Sequence, residues 1–436
     1  MRSYKETLDY LDSFVNYEIV GLDGIKEKFD LGKLHDALRS VGDPHKDYKC
    51  VHVAGTKGKG SVCVFTSVIL QGEGHSVGLF TSPHLVDPKE RIRVNGDEIT
   101  EEELTSAATV LRDSIEGGTE RFTYFEIYTM IAMLHFSIKK VDFAVFEVGL
   151  GGQLDSTNVI DAKVCGISPI SYDHMNVLGN SLGEIATEKA GIIKKGAHCV
   201  SAPQTEDAMD VIRERCADQD ATLSVVGEDI TYKIISMDAE GSKFDVRTPK
   251  GTYENCRTVM PGDFQAMNCA VAISLAEQAL GGRELDMGKL TDSLSRAFLP
   301  GRMEVLATKP FIVIDGAQNG DSSRCLKYSV EQIFKYDRLI LLFGISKDKD
   351  IKSTCRELGP VADEIILTRA AVDRAADPHL VRGFFKGKSV KVTRDVKEAL
   401  GLALKAAGKR DIILATGSFF VAGEVRELVL GTQEQG

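Results

Sequence analysis

Residues 51–61 read VHVAGTKGKGS, and this stretch decides how the rest of the chain is interpreted. Val51 to Ala54 alternate and end in a small side chain, as a buried strand does, and the glycines at 55, 58 and 60 then interrupt regular pairing. The apolar run from Ser61 to Leu70 contains no Gly or Pro and predicts a helix packed on a sheet.

A strand, a glycine loop with a lysine, and a serine at a helix start form an arrangement that binds phosphate. Backbone N–H groups and the helix N-terminus attract anionic oxygens, Lys59 can reach the β- and γ-phosphates, and the Ser61 hydroxyl can bind Mg²⁺. The spacing departs from G-x-x-x-x-G-K-[ST], since only two residues separate Gly55 from Gly58 and Gly60 stands before Ser61. Two interpretations stay open for the stretch alone: a nucleoside triphosphate site, and a glycine-rich turn with solvated lysines.

Length and composition bound the class of protein. The 436 residues exceed the roughly 250–300 at which single cores stop growing, so two domains are expected. Acidic residues outnumber basic ones, 64 to 53, which gives a net charge of -11 and no bulk attraction to nucleic acid or to an anionic membrane. We therefore expect neither partner, and an anionic substrate needs locally placed cations.

The cysteines and the N-terminus indicate a cytoplasmic protein. Nine cysteines are scattered without a C-x-x-C pair, which is typical of reduced, mostly buried thiols. The first residues carry charges and no apolar secretory segment. The most hydrophobic stretch, Phe122 to Ile138, is shorter than a comfortable membrane span and contains Glu126 and His135, so we interpret it as a core helix.

Alternating strands and helices predict an α/β fold. The strand Asp142 to Val148 delivers Glu147 to its carboxyl end, and Lys163 to Ser168 does the same for Asp173 and His174. Short alternating runs at 230–259 predict a small antiparallel sheet. Strand and helix alternation restarts after Leu299 to Arg302, so the predicted domains are residues 1–299 and 300–436.

Several polar residues are expected at the strand ends near the phosphate loop. If the strands are neighbours, Ser82, Glu147 and His174 complete a second cation site beyond the one served by Ser61. Taken singly, each has a commoner role: a Ser cap, a buried Glu in an ion pair, a satisfied loop His. Lys189 is by default a solvated helix lysine, but a neutral lysine amine near metals can take up CO₂ and become a carbamate.

Two other interpretations have weaker support in the sequence. Gly149, Gly151 and Gly152 do not fit G-x-G-x-x-G and no helix follows them directly, so nicotinamide binding is not expected. The aromatic residues within 122–126 can stack on a flat ligand, although helix aromatics are usually core.

The ordered motifs resemble the folylpolyglutamate synthase and dihydrofolate synthase family of Mur-type, ATP-dependent amide ligases, from about residue 30 to about residue 426. The motifs are AGTKGKGS, TSPHL, FTYFE, EVGLGGQLDSTN, SYDHMNVLG with EIATEKAGIIK, PGRMEVL, DGAQN, LFGISKDKD and TGSFFVAGEV. The resemblance implies a P-loop Mur-ligase-like central domain, a C-terminal Rossmann-like α/β domain, and ADP-forming coupling of L-glutamate to a folate or dihydropteroate carboxylate through an acyl phosphate.

The resemblance also implies roles for individual residues. ATP phosphates would be held by Gly58, Lys59, Gly60 and Ser61, with Asn268, Arg302 and Asp315 contacting ATP across the domain cleft. Two Mg²⁺ ions are implied, with Ser61 at the first and Ser82, Glu147 and His174 at the second. Lys59, His174 and Lys189 would be catalytic, Lys189 as a carbamate. The pterin-binding residues would be Thr123, Tyr124, Phe125, Glu126, Leu154, Asp155 and Ser156. We expect a monomer.

The chain departs from the family pattern at three positions. Lys57 stands where Asn is common and adds a cation to the phosphate loop. Gln153 replaces a frequent Arg, and Gln318 replaces the usual His of DGAHN, so the acceptor and the contact made by the second domain stay open.

Three alternatives remain at this stage. A Mur-type ligase acting on a cell-wall precursor should carry a uridine-nucleotide-binding domain, for which about fifty residues before the loop leave little room. A P-loop NTPase switch or transporter motor would hydrolyse nucleotide without forming an amide. A non-enzymatic nucleotide-binding module would bind ATP without turnover.

Overall fold

The computed structural model describes residues 1, 3–20, 30–118 and 120–433. The helices of this part of the chain are α1 (Tyr4–Asp12), α2 (Tyr17–Val20), α3 (Leu31–Ser40), α4 (Lys59–Gly72), α5 (Glu101–Ile115), α6 (Tyr124–Ile138), α7 (Met175–Leu178), α8 (Leu182–Ala190), α9 (Glu206–Asp218), α10 (Asp263–Ala279), α11 (Met287–Ser295), α12 (Gly320–Ile333), α13 (Ile351–Leu358), α14 (Pro378–Arg382), α15 (Val396–Ala406) and α16 (Phe419–Gln433).

The strands are β1 (Lys49–Ala54), β2 (Val77–Phe80), β3 (Ile92–Val94), β4 (Asp97–Glu98), β5 (Phe143–Glu147), β6 (Val164–Ile167), β7 (His198–Ser201), β8 (Thr222–Val225), β9 (Thr231–Asp238), β10 (Gly241–Arg247), β11 (Thr252–Thr258), β12 (Glu304–Thr308), β13 (Phe311–Ile314), β14 (Leu339–Phe343), β15 (Glu364–Leu367), β16 (Val390–Val392) and β17 (Ile412–Thr416).

The first sheet has eight strands in the order β4-β3-β2-β5-β1-β6-β7-β8. All are parallel from β2 to β8, while β3 and β4 form an antiparallel edge. Residues 87–96 supply a 3-10 turn and β3. Because β5 lies between β1 and β2, the ends of these three strands meet at one edge of the sheet.

Both faces of this sheet are covered, as its nearly continuous apolar strands require. One core joins Val51 and Val53 of β1 to α4, α10 and the small sheet. The opposite core packs Phe80 and Phe146 against α6. The expectation of a core helix at Phe122 to Ile138 is correct in kind, although the helix begins at Tyr124 because Thr123 caps it.

The small antiparallel sheet, ordered β11-β10-β9, lies within the predicted 230–259 region. A six-stranded sheet ordered β12-β13-β17-β14-β15-β16 follows, parallel except for β12. Its two faces carry separate apolar cores. The predicted α/β class, with a small antiparallel sheet and a second α/β unit, is confirmed, whereas the boundary at residue 299 stays a prediction.

Helix α9 and strands β8 and β12 are among the elements that were not anticipated. Helix α9 is rich in charge and buries only Ala208, Met209, Ile212 and Cys216, so its apolar stripe is weak in the sequence. Strands β8 and β12 lie at sheet edges and carry exposed positions, which blurs their apolar signal. Among the described residues, no helix is long and apolar enough to cross a membrane.

Candidate active site

The candidate site lies where β1, β2, β5 and β6 end. These strands are parallel, so the loops that follow them emerge at the same edge, where ligands bind in open α/β sheets. Val53 is in register with Glu147, which sets that carboxylate beside the phosphate loop. Strand order therefore brings the ends of these strands to one edge, while the approach of His174 to Ser82 and Glu147 stays a prediction.

The phosphate loop, residues 55–61, has a backbone conformation that can surround an anion. Gly58 has a φ of +84° and precedes α4, so it occupies the left-handed region that favours glycine. A β-carbon at Gly58 would come within 2.5 Å of Asn268 Oδ1. Helix α4 begins at Lys59, two residues before the predicted start, which brings its N-terminal N–H groups to the loop.

Asn268 brings a buried acceptor to this loop from α10. Its side-chain NH₂ donates to Gln265 Oε1 at 3.1 Å, and the residue is 2% exposed. Within the described residues its Oδ1 has no hydrogen-bond partner, and neither has Gln265 Nε2. Buried polar groups without partners are rare in folded proteins, so the pair fits a polar ligand in the cradle.

Lys59 and Glu147 are the charged groups of this edge. Burial is the largest cause of the lowered pKa of Lys59, while Glu147 opposes it. Burial likewise raises the pKa of Glu147, which is 3% exposed and accepts the Ser82 N–H at 3.0 Å. The Glu147 carboxylate also lies beside Gly60, since a β-carbon there would be 3.2 Å from its Oε2. Any cation that reaches this carboxylate therefore stabilises its ionised form.

The predicted metal ligands have chemistry that fits Mg²⁺. Ser61 is 4% exposed at the start of α4, and Glu147 supplies a buried carboxylate oxygen. No group of three or more His, Cys, Asp or Glu side chains in the described ranges is arranged to hold a metal. The predicted set has only two such residues, Glu147 and His174, and its other members are serine hydroxyls.

His174 occupies a left-handed backbone position with a φ of 50°. Its Nε2 lies 3.7 Å from Asp173 Oδ1, and its side chain is 35% exposed. Burial, followed by Lys349, lowers the pKa of His174 to about 4. The imidazole is therefore neutral at physiological pH, as a metal ligand must be.

Lys189 is not the solvated helix lysine that its sequence context favours by default. It is 3% exposed and donates to the Gly55 carbonyl at 2.9 Å. Burial, with Lys59 as the next cause, lowers its pKa to about 7. A large fraction of the amine is therefore neutral near pH 7, the form that reacts with CO₂.

Arg302 and Asp315 bring the second sheet to the site. The Arg302 guanidinium stacks on Phe419 at 4.5 Å from the ring centroid. Asp315 is 8% exposed, and its two oxygens accept the N–H groups of Met303 and Ala317 at 2.9 and 2.8 Å. Asp315 therefore braces the turn that carries Arg302. A cleft joins the two sides, lined among others by Gly60, Ser82, Glu147, Leu299, Arg302 and Phe419.

The predicted pterin-binding residues of α6 also build the helix start. Thr123 Oγ1 accepts the Glu126 N–H at 3.2 Å, and Glu126 accepts the Thr123 N–H at 2.7 Å. Lys33 pairs with Glu126 at 3.0 Å. Tyr124 is 2% exposed and belongs to the core, whereas Phe125 is partly buried and packs on Gly149.

The second predicted pterin-binding segment contacts the first. Ser156 Oγ lies 2.9 Å from Thr129 Oγ1, one turn along α6 from Phe125. Asp155 accepts the Leu150 N–H at 2.8 Å and the Thr157 N–H at 3.0 Å, and burial raises its pKa. Leu154 is 46% exposed. The two segments are thus neighbours, and Leu154 and Phe125 have the side chains that are least involved in internal packing.

The three departures from the family pattern have different surroundings. Lys57 donates to Asp173 at 2.9 Å, so the added cation is paired with an acid of the chain. Gln153 is exposed, and its N–H donates to the Glu188 carbonyl at 2.8 Å. The Gln318 N–H donates to Ser322 Oγ at 3.2 Å.

Three residues near the site were missed in the sequence: Asn319, Lys349 and Phe419. Asn319 donates to Asp173 Oδ2 at 3.2 Å, and Lys349 lies 3.7 Å from Asp173 Oδ1. Each belongs to a quoted motif, DGAQN, LFGISKDKD or TGSFFVAGEV. Position in a motif at a strand end was the available signal, but it did not tell which side chain reaches across the cleft.

Family models and known proteins match most of the chain. The family model described as "Mur ligase middle domain" matches residues 53–276, and that described as "Mur ligase, glutamate ligase domain" matches residues 301–419. The chain is 33% identical over 407 residues to a dihydrofolate synthase/folylpolyglutamate synthase of Bacillus subtilis, covering 91% of this chain and 94% of that protein.

Two solved structures are similar over nearly the whole chain. The folylpolyglutamate synthase of Mycobacterium tuberculosis complexed with ADP has a TM-score of 0.89 and 27% identity, covering 98% of both chains. E. coli FolC in complex with DHPP and ADP has a TM-score of 0.88 and 27% identity, covering 99% of this chain and 98% of that one. The Mur-ligase-like two-domain fold is confirmed.

Proposed function

The chain belongs to the folylpolyglutamate synthase and dihydrofolate synthase family of Mur-type ligases, and from that premise we propose how its residues perform the reaction. It is an ATP-dependent, ADP-forming ligase that couples L-glutamate to the carboxylate of a folate or of dihydropteroate. The observation that carries the residue assignment is the single sheet edge holding Lys59, Glu147 and Lys189 around a glycine loop.

The chemistry requires an activated carboxylate. A carboxylate is a poor acyl donor at neutral pH, so its oxygen first attacks the γ-phosphorus of ATP, and ADP leaves as the bond to the bridging oxygen breaks. The glutamate amine then attacks the acyl phosphate, forming the amide and releasing phosphate. The work left to the protein is alignment and charge neutralisation, which preorganised cations and N–H groups provide.

Residues of the phosphate loop bind and neutralise the triphosphate. Gly58, Gly60 and Ser61 present backbone N–H groups at the start of α4, and Lys59 sets its charge against the transferring phosphoryl group. Asn268 offers an acceptor to the bound nucleotide. Arg302, braced by Asp315, adds a cation from the other side of the cleft.

Mg²⁺ would neutralise phosphate charge that otherwise repels the incoming carboxylate. Ser61 would hold one ion, and Ser82, Glu147 and His174 would hold the second. Their fit rests on the buried carboxylate of Glu147 and the neutral imidazole of His174.

Lys189 serves catalysis as a carbamate in this proposal. Its buried amine has a pKa of about 7 and can form a carbamate at neutral pH, replacing a cation by a carboxylate-like group. The N–H that remains after carbamylation can still donate to the Gly55 carbonyl. The group would thereby stay anchored to the phosphate loop.

The division of labour follows the two sheets. Residues 1–299 would bind ATP and the pterin, with Phe125 and Leu154 offering apolar surface and Thr123, Tyr124, Glu126, Asp155 and Ser156 fixing the segments that carry them. Residues 300–436 would close on them. All nine cysteines are free, and seven are buried, which supports a cytoplasmic location. We further propose a monomer.

The test is ADP release by the purified chain with Mg²⁺, ATP and L-glutamate, comparing dihydropteroate with tetrahydrofolate. We expect glutamate-dependent ADP release and a product heavier by one glutamyl residue in the mass spectrum. The folate assignment would be wrong if neither acceptor gave a glutamylated product while another carboxylic acid, offered as acceptor, supported ADP release. That result would indicate a Mur-type ligase with a different acceptor. ADP release without any amide would indicate an NTPase.

A further inference from the structure

A polar cluster crosses from the first domain to the second at Asp173. Lys57 of the phosphate loop donates to Asp173 Oδ2 at 2.9 Å. From the other domain, the Asn319 side chain donates to the same oxygen at 3.2 Å, and the Lys349 ammonium lies 3.7 Å from Oδ1. One carboxylate therefore contacts the nucleotide loop and two elements of the second sheet.

The cluster is enclosed enough for its charges to matter. The Asp173 side chain is 14% exposed and that of Lys349 is 7% exposed. A cation that is nearly buried is costly without its partner. Lys349 also lies near Asp348, at 3.9 Å, but Asp348 is bound by Arg374 at 2.6 Å. Asp173 is thus the acid that Lys349 gains only when the domains are together.

Asp173 also shapes the two groups beside it. Its Oδ1 accepts the His174 N–H at 3.1 Å, at the point where His174 takes a left-handed backbone conformation. Lys57 immediately precedes Gly58, the residue whose positive φ forms the cradle. Asn319 is the cap of α12. A movement of the second domain would therefore shift the phosphate loop on one side of the site and His174 on the other.

We propose that Asp173 is a positioning residue that couples closure of the second domain to the placement of the phosphate loop and of His174. Lys57 links the carboxylate to the loop, and Asn319 with Lys349 links it to the closing domain. This inference rests on the proposed function only in that the residues are aligned for the ligation reaction. Closure of the second domain can be measured without that reaction.

A second contact between the domains gives a matched control. The Ser329 hydroxyl of α12 donates to Asp263 Oδ1 at the start of α10 at 3.3 Å. If any lost contact between the domains slowed the reaction, Ser329→Ala would act like Asp173→Asn. Asp411, paired with Arg338 at 2.7 Å inside the second domain, controls for loss of a buried carboxylate.

The experiment compares Asp173→Asn, Lys57→Met, Asn319→Ala and Lys349→Met with Ser329→Ala and Asp411→Asn. We expect Asp173→Asn to lower kcat by about a hundredfold, because a misplacement of about 1 Å can cost that much. The KM for ATP should change by less than about threefold, since the loss falls on alignment rather than on ground-state binding. Ser329→Ala and Asp411→Asn should keep kcat within about threefold of the wild type.

Small-angle X-ray scattering supplies a readout independent of ligation. With a non-hydrolysable ATP analogue, the radius of gyration of the wild type should fall, and that of Asp173→Asn and Lys349→Met should fall less. Adding Lys349→Met to Asp173→Asn should change the radius of gyration little further, because Asp173→Asn already removes the carboxylate that Lys349 faces. If the radius of gyration of the wild type falls but no glutamylated product forms, the proposed function is wrong, and the scattering experiment still tests the role of Asp173.

Several results would overturn the proposal. An unchanged kcat in Asp173→Asn would do so, and so would an equal loss in Ser329→Ala. If Asp173→Asn fails to fold, Lys57→Met and Asn319→Ala each remove one arm of the cluster. Both should lower kcat with the KM for ATP nearly kept, and a full wild-type kcat in both would contradict the coupling.

Discussion

The phosphate loop and the two predicted pterin-binding segments lie at one edge of the same sheet but use their polar groups differently. The loop leaves Asn268 Oδ1 without a partner among the described residues and holds Lys59 beside buried Glu147. In the other two segments, Thr123 and Glu126 form a capping box, and Asp155 accepts N–H groups of its own loop.

This difference suggests that the polar groups of the loop serve ligand binding, whereas those of the pterin-binding segments also stabilise the fold. A group that is buried and incompletely satisfied has interaction capacity for a ligand, and its removal costs the fold little. A group that caps a helix or braces a loop stabilises the fold, and its removal costs free energy of unfolding whether or not a ligand binds. We therefore expect substitutions in the loop to reduce activity alone, and those in the pterin segments to reduce both.

The largest expected effect is that of Lys59→Ala. It removes the cation set against the transferring phosphoryl group, so we expect kcat to fall by about 10³-fold. The midpoint of thermal unfolding should stay near that of the wild type, because burial already disfavours the charged form of Lys59. Lys49→Ala, at the exposed start of β1, is the control. Near-normal turnover in Lys59→Ala would show that the loop does not hold the phosphates.

Lys189→Ala comes next, with an expected loss of about a hundredfold in kcat. Since the pKa of Lys189 is lowered to about 7, its neutral fraction rises with pH through 7. Carbamate formation and wild-type activity should therefore rise about tenfold from pH 6 to pH 8. Added bicarbonate should raise activity at pH 7, and ¹³C NMR with labelled bicarbonate should show the carbamate signal.

Lys195→Ala, an exposed lysine a few residues on, is the control for Lys189. It should keep the wild-type activity and the ¹³C signal. Loss of that signal in Lys189→Ala identifies the carbamylated residue. Full activity of Lys189→Ala, or a wild-type activity independent of bicarbonate, would contradict the role.

Asp155→Asn tests the other side of the comparison. It weakens the acceptance of backbone N–H groups from Leu150 and Thr157, so we expect the free energy of unfolding to fall by about 1–3 kcal/mol. The KM for the pterin substrate should rise as well, because the segment with Leu154 loses its brace. Chemical denaturation and steady-state kinetics measure the two effects; a raised KM with unchanged stability would erase the distinction between the regions.

Thr123→Ala has the smallest expected effect, a loss of about 1 kcal/mol in the free energy of unfolding. The chain holds a matched control, since Thr100 and Glu103 form the same capping box at the start of α5, away from the site. Thr100→Ala should cost a similar free energy of unfolding without any change in the KM for the pterin substrate. If the two variants have the same kinetics, α6 does not serve the pterin.

Much of the fold is local in the sequence. The alternation of apolar strands and helices predicted the α/β class, and the apolar runs at 51–54, 142–148 and 163–168 predicted β1, β5 and β6. The buried state of Lys189 was not predictable, because its helix reads as polar and its burial comes from packing against the Gly55 carbonyl and Gly152. Lys57 likewise looked like a free cation until the fold brought Asp173 to it.

The sequence by itself predicted the strand, glycine loop and helix start at residues 51–61, because glycine spacing and apolar periodicity specify backbone geometry within a dozen residues. It also determined the class of fold, because periodicity is a local property of the chain. Only the tertiary structure decided which strand lies beside which, and so that Glu147 stands between Ser82 and the loop. It alone decided that Asp173 meets Asn319, 146 residues later, since the contact depends on how two separately folded sheets are placed together.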